Sequence, residues 1–244
     1  MRLSTTWTVE DWRTVFTDNA RKFRVAVEAA DPADEVPTVS GWTFRELTLH
    51  VGRFAHQVAH YLRTGSQVML RPPPMPGGDP LDYLDTQLAE AADALAETPG
   101  NRPVWTFSPA APDLAWVWHR RAAHELNLRR WDAQVALVAV DPTPRELALD
   151  GIDEALGTLL PAKYGTEVPV TVSGTVVIAA NDGPEAWSVT LRPGEIPVAE
   201  ETSGDEPADA RMESSATNLL YLLRNRAELL GTGREDLRRA VIVE

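Results

Sequence analysis

The chain has 244 residues, 43 % hydrophobic and 24 % charged, enough for one large or two ordinary domains, each with its own core. A formal net charge of -13 argues against nucleic acid and anionic membranes as partners, because both need a basic surface. No cysteine occurs, which excludes disulfides, thiolate metal ligands and a thiol nucleophile of the protein's own, so any thiol chemistry must come from a small molecule.

The opening MRLSTTWTVEDW carries no basic leader followed by an apolar core, and no run is long enough to cross a bilayer, so a cytoplasmic protein is expected. Thr8 with Asp11 reads as an N-cap and first-turn acid, opening a helix over 9–29. Residues 31–40, with Pro32 and Pro37, form a loop. Thr43 and Glu46 make a second capping box and start an amphipathic helix that runs to about Leu62. On it Leu47, His50, Val51, Phe54 and Val58 recur at spacings of three and four, so His50 shares the core-facing stripe. His56 and His60 lie elsewhere on that helix and read as surface residues.

RPPPMPGGDP, residues 71–80, is neither helix nor central strand, since its prolines lack donors and fix the backbone. A strong helix former with an acidic start follows over 80–97, stopped by Pro99 and Gly100. A fourth helix runs from about Asp113 into Val138, which completes an antiparallel four-helix bundle. Trp105, Trp116, Trp118 and Trp131 cluster at this last helix as core and rim packing. At 100° per residue, Glu125 shares a face with Arg121 above it and with Arg129 and Asp132 below. Read alone, that charged stripe favours a solvated surface, because exposed Glu and Arg ladders are common and stabilise little.

Pro142 and Pro144 end the bundle, and residues 145–165 carry one bridging helical pattern. VPVTVSGTVVIAA, WSVTLRPG and EIPVAE then alternate as strands of a small antiparallel sheet, with ADARMESS as a further strand. ATNLLYLLRNRAELL reads as an amphipathic helix over 216–230, and REDLRRAVIVE closes the chain. The fold class expected is α+β with two domains: a bundle over 1–142 and a small α+β domain over 143–244.

The run RRAAHELNLRRWDA, together with the GWTFREL entry into the second helix, resembles the mycothiol-dependent maleylpyruvate isomerase family, a branch of the DinB-like metal-binding bundles. The resemblance extends to a C-terminal domain that looks sterol-carrier-protein-like. It implies a mycothiol-dependent isomerase or transferase acting on a small electrophilic or anionic substrate in a cleft between two domains. It further implies a divalent metal, usually zinc, held by a glutamate, the histidine four residues after it and a histidine of an earlier helix. The matching positions here are Glu125, Arg129 and His50. Arginine has no lone pair to give and stays protonated, so a metal ligand has been replaced by a cation.

Either Arg129 acts as a metal substitute that holds a thiolate or carboxylate, or it plugs the site through an ion pair with Glu125. The second case leaves a metal-free pseudoenzyme or small-molecule-binding protein. Rescue of the metal by Asp132 or His124 is the third case, and His124 points about 100° away from Glu125. Arg121 and Asp132 are the expected cofactor-binding residues and Arg129 and Arg226 the expected catalytic ones; LRNR, residues 223–226, matches the family's W-G-R helix end, whose arginine faces the cleft, although an arginine there equally caps the helix carbonyls. The expected partners are a small-molecule substrate and a small thiol, in a monomer or homodimer.

Overall fold

The structure, a computed structural model, describes residues 6–68, 78–166 and 168–243. It divides into two compact units, one of Trp7–Thr106 with Pro112–Pro142 and one of Phe107–Ala111 with the chain from Thr143 onward. The expected loop over 71–80 falls largely on residues 71–77, outside the described residues.

Four long helices build the first unit: α1 (Val9–Ala29), α2 (Phe44–Thr64), α3 (Pro80–Glu97) and α4 (Trp116–Ala136). Local chemistry sets three of the four starts. Thr8 and Asp11 close a capping box on α1, and Thr43 and Glu46 do the same on α2. Asp79 caps α3, with Pro80 in the first turn where its missing N–H costs nothing. α4 begins three residues later than the sequence suggests. Asp113 is used elsewhere: its carboxylate accepts from the Thr106 amide at 2.9 Å and its carbonyl from the Val104 amide at 3.1 Å.

α1 packs on α4 and α2 on α3, and the pairs close on each other around Phe16, Phe23, Leu47, Leu62, Leu84 and Leu126, all essentially inaccessible. The tryptophans lie where expected: Tyr61 stacks on Trp118 at 4.7 Å with Trp105 beside it, and Trp12 stacks on Trp116 at 6.0 Å. His56 is a correction. It is wedged between α2 and α3, its Nδ1 is 2.8 Å from the Gln87 side chain, and its Nε2 is sealed from solvent.

The second unit is a five-stranded sheet with helices. The bridging pattern forms α5 (Arg145–Glu154) and α6 (Leu160–Thr166), joined without a break by a π-helical turn over Ala155–Leu159. The strands are β1 (Gly174–Ala180), β2 (Ala186–Leu191), β3 (Val198–Thr202), β4 (Ala210–Ser214) and β5 (Thr232–Gly233), in the order β3-β2-β1-β4-β5. The sheet is mixed, not antiparallel throughout, because β4 pairs with β1 in parallel. The Asp209 amide donates to the Thr175 carbonyl at 3.0 Å and its carboxylate accepts from the Thr175 amide at 2.9 Å, which locks that register at its entry. Ala210 and Met212 then join Val176 and Ile178 in the core with Ile152 and Leu156.

α8 (Glu235–Ala240) is the last helix, and α7 (Ala216–Leu223) is shorter than expected. The residue after its C-cap, Asn225, adopts a left-handed conformation at φ 56°, and the Arg226 amide turns back to the Tyr221 carbonyl at 2.7 Å. Asparagine tolerates that conformation and so stops the helix there.

A buried ion-pair network as candidate functional site

α4 is buried on every side: each residue from Val117 to Arg130 is buried, including Arg120, Arg121, Glu125, Arg129 and Arg130. The charged stripe is therefore not a solvated surface. Charges taken out of water must be paired or carry a heavy desolvation cost, and these are paired.

Glu125 is the hub. Its Oε2 accepts from Arg121, and its Oε1 accepts from Arg129 Nε at 2.7 Å and lies 2.9 Å from His50 Nε2. Arg129 Nη1 then donates to Asp132 at 3.0 Å. Asp132 is wholly inaccessible and also takes the Thr38 hydroxyl at 2.6 Å. His50 is the open edge of this network, with about a third of its side chain exposed.

Trp42 covers the network from the loop ahead of α2. Its ring lies 4.9 Å from the His50 ring and 5.4 Å from the Arg129 guanidinium carbon. The loop folds back through Val36 N–H to Trp42 O at 2.8 Å and Trp42 N–H to Val39 O at 3.1 Å, helped by the left-handed Gly41. This turn brings Thr38 and Trp42 to the site. Sequence reading missed both; the only signal was the GWT that precedes the capping box.

Burial works to lower the pKa of Arg129, yet the carboxylates of Glu125 and Asp132, through charge and hydrogen bonds, outweigh it and hold the guanidinium above its ordinary value. It is a permanent cation. A divalent metal does not fit here: the carboxylate it would need is bound by two guanidinium groups, and one of them is 2.7 Å away. Among the described residues no group of three or more His, Asp or Glu side chains could hold a metal ion. Asp132, the candidate rescuing ligand, is engaged by Arg129 and Thr38 instead.

Residues 14–134 match the family model for the mycothiol maleylpyruvate isomerase N-terminal domain. Through this bundle, the chain belongs to the mycothiol-dependent maleylpyruvate isomerase family. Two crystal structures of a mycothiol-dependent maleylpyruvate isomerase, one of them a mutant, share the fold at 13 % identity. The mutant aligns with a TM-score of 0.56 and the other with 0.55, each over 93 % of this chain and 92 % of theirs. No curated protein matches the chain.

In this member of the isomerase family the structure brings His50, Arg121, Glu125, Arg129 and Asp132 together within one unit. Arg226 belongs to the other unit, two residues past the α7 cap, where its Nη1 donates to the Arg224 carbonyl at 3.0 Å. None of the helices is long and apolar enough to cross a membrane, among the described residues.

A second polar feature of the bundle is expected to make it acid-sensitive. His119 is buried, its Nε2 lies 3.0 Å from the Thr98 carbonyl, and its Nδ1 has no partner among the described residues. Burial depresses its pKa below the usual imidazole value, partly opposed by the Thr98 bond. The fold thus keeps His119 neutral while the unfolded chain takes up a proton below about pH 6.5. Stability is full above that value and falls as pH drops through it, by at most about 1.4 kcal/mol per pH unit for one proton. His119→Gln, which keeps a donor for Thr98, is expected to flatten the slope of the urea midpoint between pH 7.5 and 5.5. Equal slopes for parent and variant would sink the assignment.

Proposed function

We propose that this protein is a metal-independent member of the maleylpyruvate isomerase family that holds a small carboxylate-bearing molecule beside Arg129. The observation that carries the reading is the 2.7 Å bond from Arg129 Nε to Glu125, which puts a fixed positive charge where the family resemblance expects a metal. Arg129 spends Nε and Nη1 on Glu125 and Asp132, while its Nη2 takes no hydrogen-bond partner among the described residues and is not sealed from solvent. A guanidinium with a remaining donor, beside a partly exposed imidazole and an indole, suits a planar carboxylate.

Mycothiol-dependent isomerisation or group transfer is a second reading, favoured by the family. A buried cation stabilises a thiolate or a developing oxyanion as a metal would, and Arg121 and Asp132 then act by fixing Glu125 and Arg129, with Arg226 proposed as a further cation for the substrate. The test is calorimetric titration of the untagged, dialysed protein with zinc chloride and, separately, with maleate. We expect no stoichiometric zinc binding at micromolar concentration, and saturable maleate binding that weakens about tenfold or more in Arg129→Gln. One tightly bound zinc per chain overturns metal independence, and maleate binding unchanged in Arg129→Gln removes Arg129 from the site. Maleylpyruvate turnover that needs mycothiol and resists chelators would establish the second reading.

A further inference from the structure

His50 stands at the open edge of the bundle network, its Nε2 2.9 Å from Glu125 Oε1. The distance alone does not say which atom holds the hydrogen, because either imidazole nitrogen can donate or accept. Glu125 decides it. A carboxylate that already takes donors from Arg121 and Arg129 has only lone pairs to offer, so His50 must donate through Nε2. In the neutral ring the lone pair then sits on Nδ1. Nδ1 makes no hydrogen bond among the described residues and is not sealed from solvent.

Arg129 presents the opposite polarity from the same anchor. Its Nε and His50 Nε2 meet at one oxygen of Glu125, and the Trp42 ring borders both side chains. The donor left over on Arg129 is Nη2, and the acceptor left over on His50 is Nδ1.

A ligand that satisfies this edge offers an acceptor to Arg129 and a donor to His50. A plain carboxylate meets the first and sets acceptor against acceptor at the second. An ammonium group supplies a donor, but adds a cation beside Arg121 and Arg129. A hydroxyl supplies it without charge. We propose that the bundle site selects hydroxycarboxylates, with the carboxylate on Arg129 Nη2 and the hydroxyl donating to His50 Nδ1. The inference rests on the reading of Arg129 as the carboxylate holder and adds the class of molecule it holds.

The experiment is calorimetric titration of the full-length protein with succinate, both enantiomers of malate, and 2-methoxysuccinate, at about pH 8, where a free imidazole is neutral. The tighter enantiomer of malate is expected to bind about tenfold better than succinate, from which it differs by one hydroxyl. The methoxy compound, which keeps the oxygen and loses the donor, is expected to bind no better than succinate. In His50→Phe the advantage of malate is expected to shrink to within about twofold. Equal affinity for malate and succinate, methoxysuccinate binding as tightly as malate, or an undiminished malate advantage in His50→Phe would each overturn the assignment. Any of these, with succinate binding still lost in Arg129→Gln, leaves the carboxylate reading of Arg129 standing; no binding of any of the four ligands overturns both.

Discussion

Arg129→His is expected to create a zinc site beside His50 and Glu125. Position 129 lies one helical turn below Glu125, and His50 Nε2 already stands 2.9 Å from Glu125 Oε1, so an imidazole there completes a ligand set of two nitrogens and a carboxylate. The substitution also removes the cation that repels a dication. Zinc affinity is expected to rise by about 100-fold or more over the parent. Without metal the variant should be weaker than the parent, since Asp132 is wholly buried and loses the Arg129 hydrogen bond at 3.0 Å. Removing one partner of a buried pair costs about 3–5 kcal/mol. Zinc at about 100 times its dissociation constant should return roughly 2.7 kcal/mol of that. Calorimetry and thermal melts with and without zinc read both effects. Melts of the variant that ignore zinc would mean that Arg129 does not stand at the ligand position.

Arg130→Ala is expected to be among the most damaging single changes in the bundle, through a second set of hydrogen bonds on α4. Arg130 points to the opposite side of α4. Its Nε donates to Asn19 of α1 at 3.1 Å, its Nη2 to Asn127 at 2.8 Å, and its Nη1 to Gln134 at 2.8 Å and the Asp141 carbonyl at 2.6 Å. One side chain therefore ties α1, α4 and the chain beyond α4. Truncation leaves a cavity and takes a charged donor from each of these four acceptors, a loss of about 3–5 kcal/mol. An exposed pair such as Arg13 with Glu10, 2.9 Å apart, should cost less than about 1 kcal/mol on the same substitution. Urea unfolding at neutral pH measures both. A loss below about 1 kcal/mol in Arg130→Ala would show that the central arginine is dispensable.

We propose residues 1–142 and 143–244 as separable domains. A 1–142 fragment is expected to fold alone with almost purely helical circular dichroism. An unfolded fragment would refute that boundary, most simply because Phe107–Ala111 groups with the second unit.

Much of the bundle is legible in the sequence because helix starts are local events. Thr8 and Asp11, Thr43 and Glu46, and Asp79 with Pro80 each satisfy the first amides from residues within a turn, so α1, α2 and α3 begin where the pattern says. The Glu125–Arg129 spacing fixes their shared face on any helix, and the family signature in the same run needs no coordinates. Asn225 could have stopped α7 on paper, had its left-handed preference been weighed against the helical run around it.

What the sequence leaves open is decided by partners distant in the chain. The charged pattern of α4 fits a solvated face and a buried one equally well, and only enclosure by the other bundle helices and the Trp42 turn makes it an interior network. Thr38 reaches Asp132 across 94 positions of sequence, and Arg130 reaches Asn19 across 111. A strand's alternation likewise names its buried face but not its neighbour, so the parallel pairing of β4 with β1 waits for Asp209 to meet Thr175. Periodicity reports which way side chains point along one element; desolvation and pairing depend on what stands opposite, and that is a property of the folded chain.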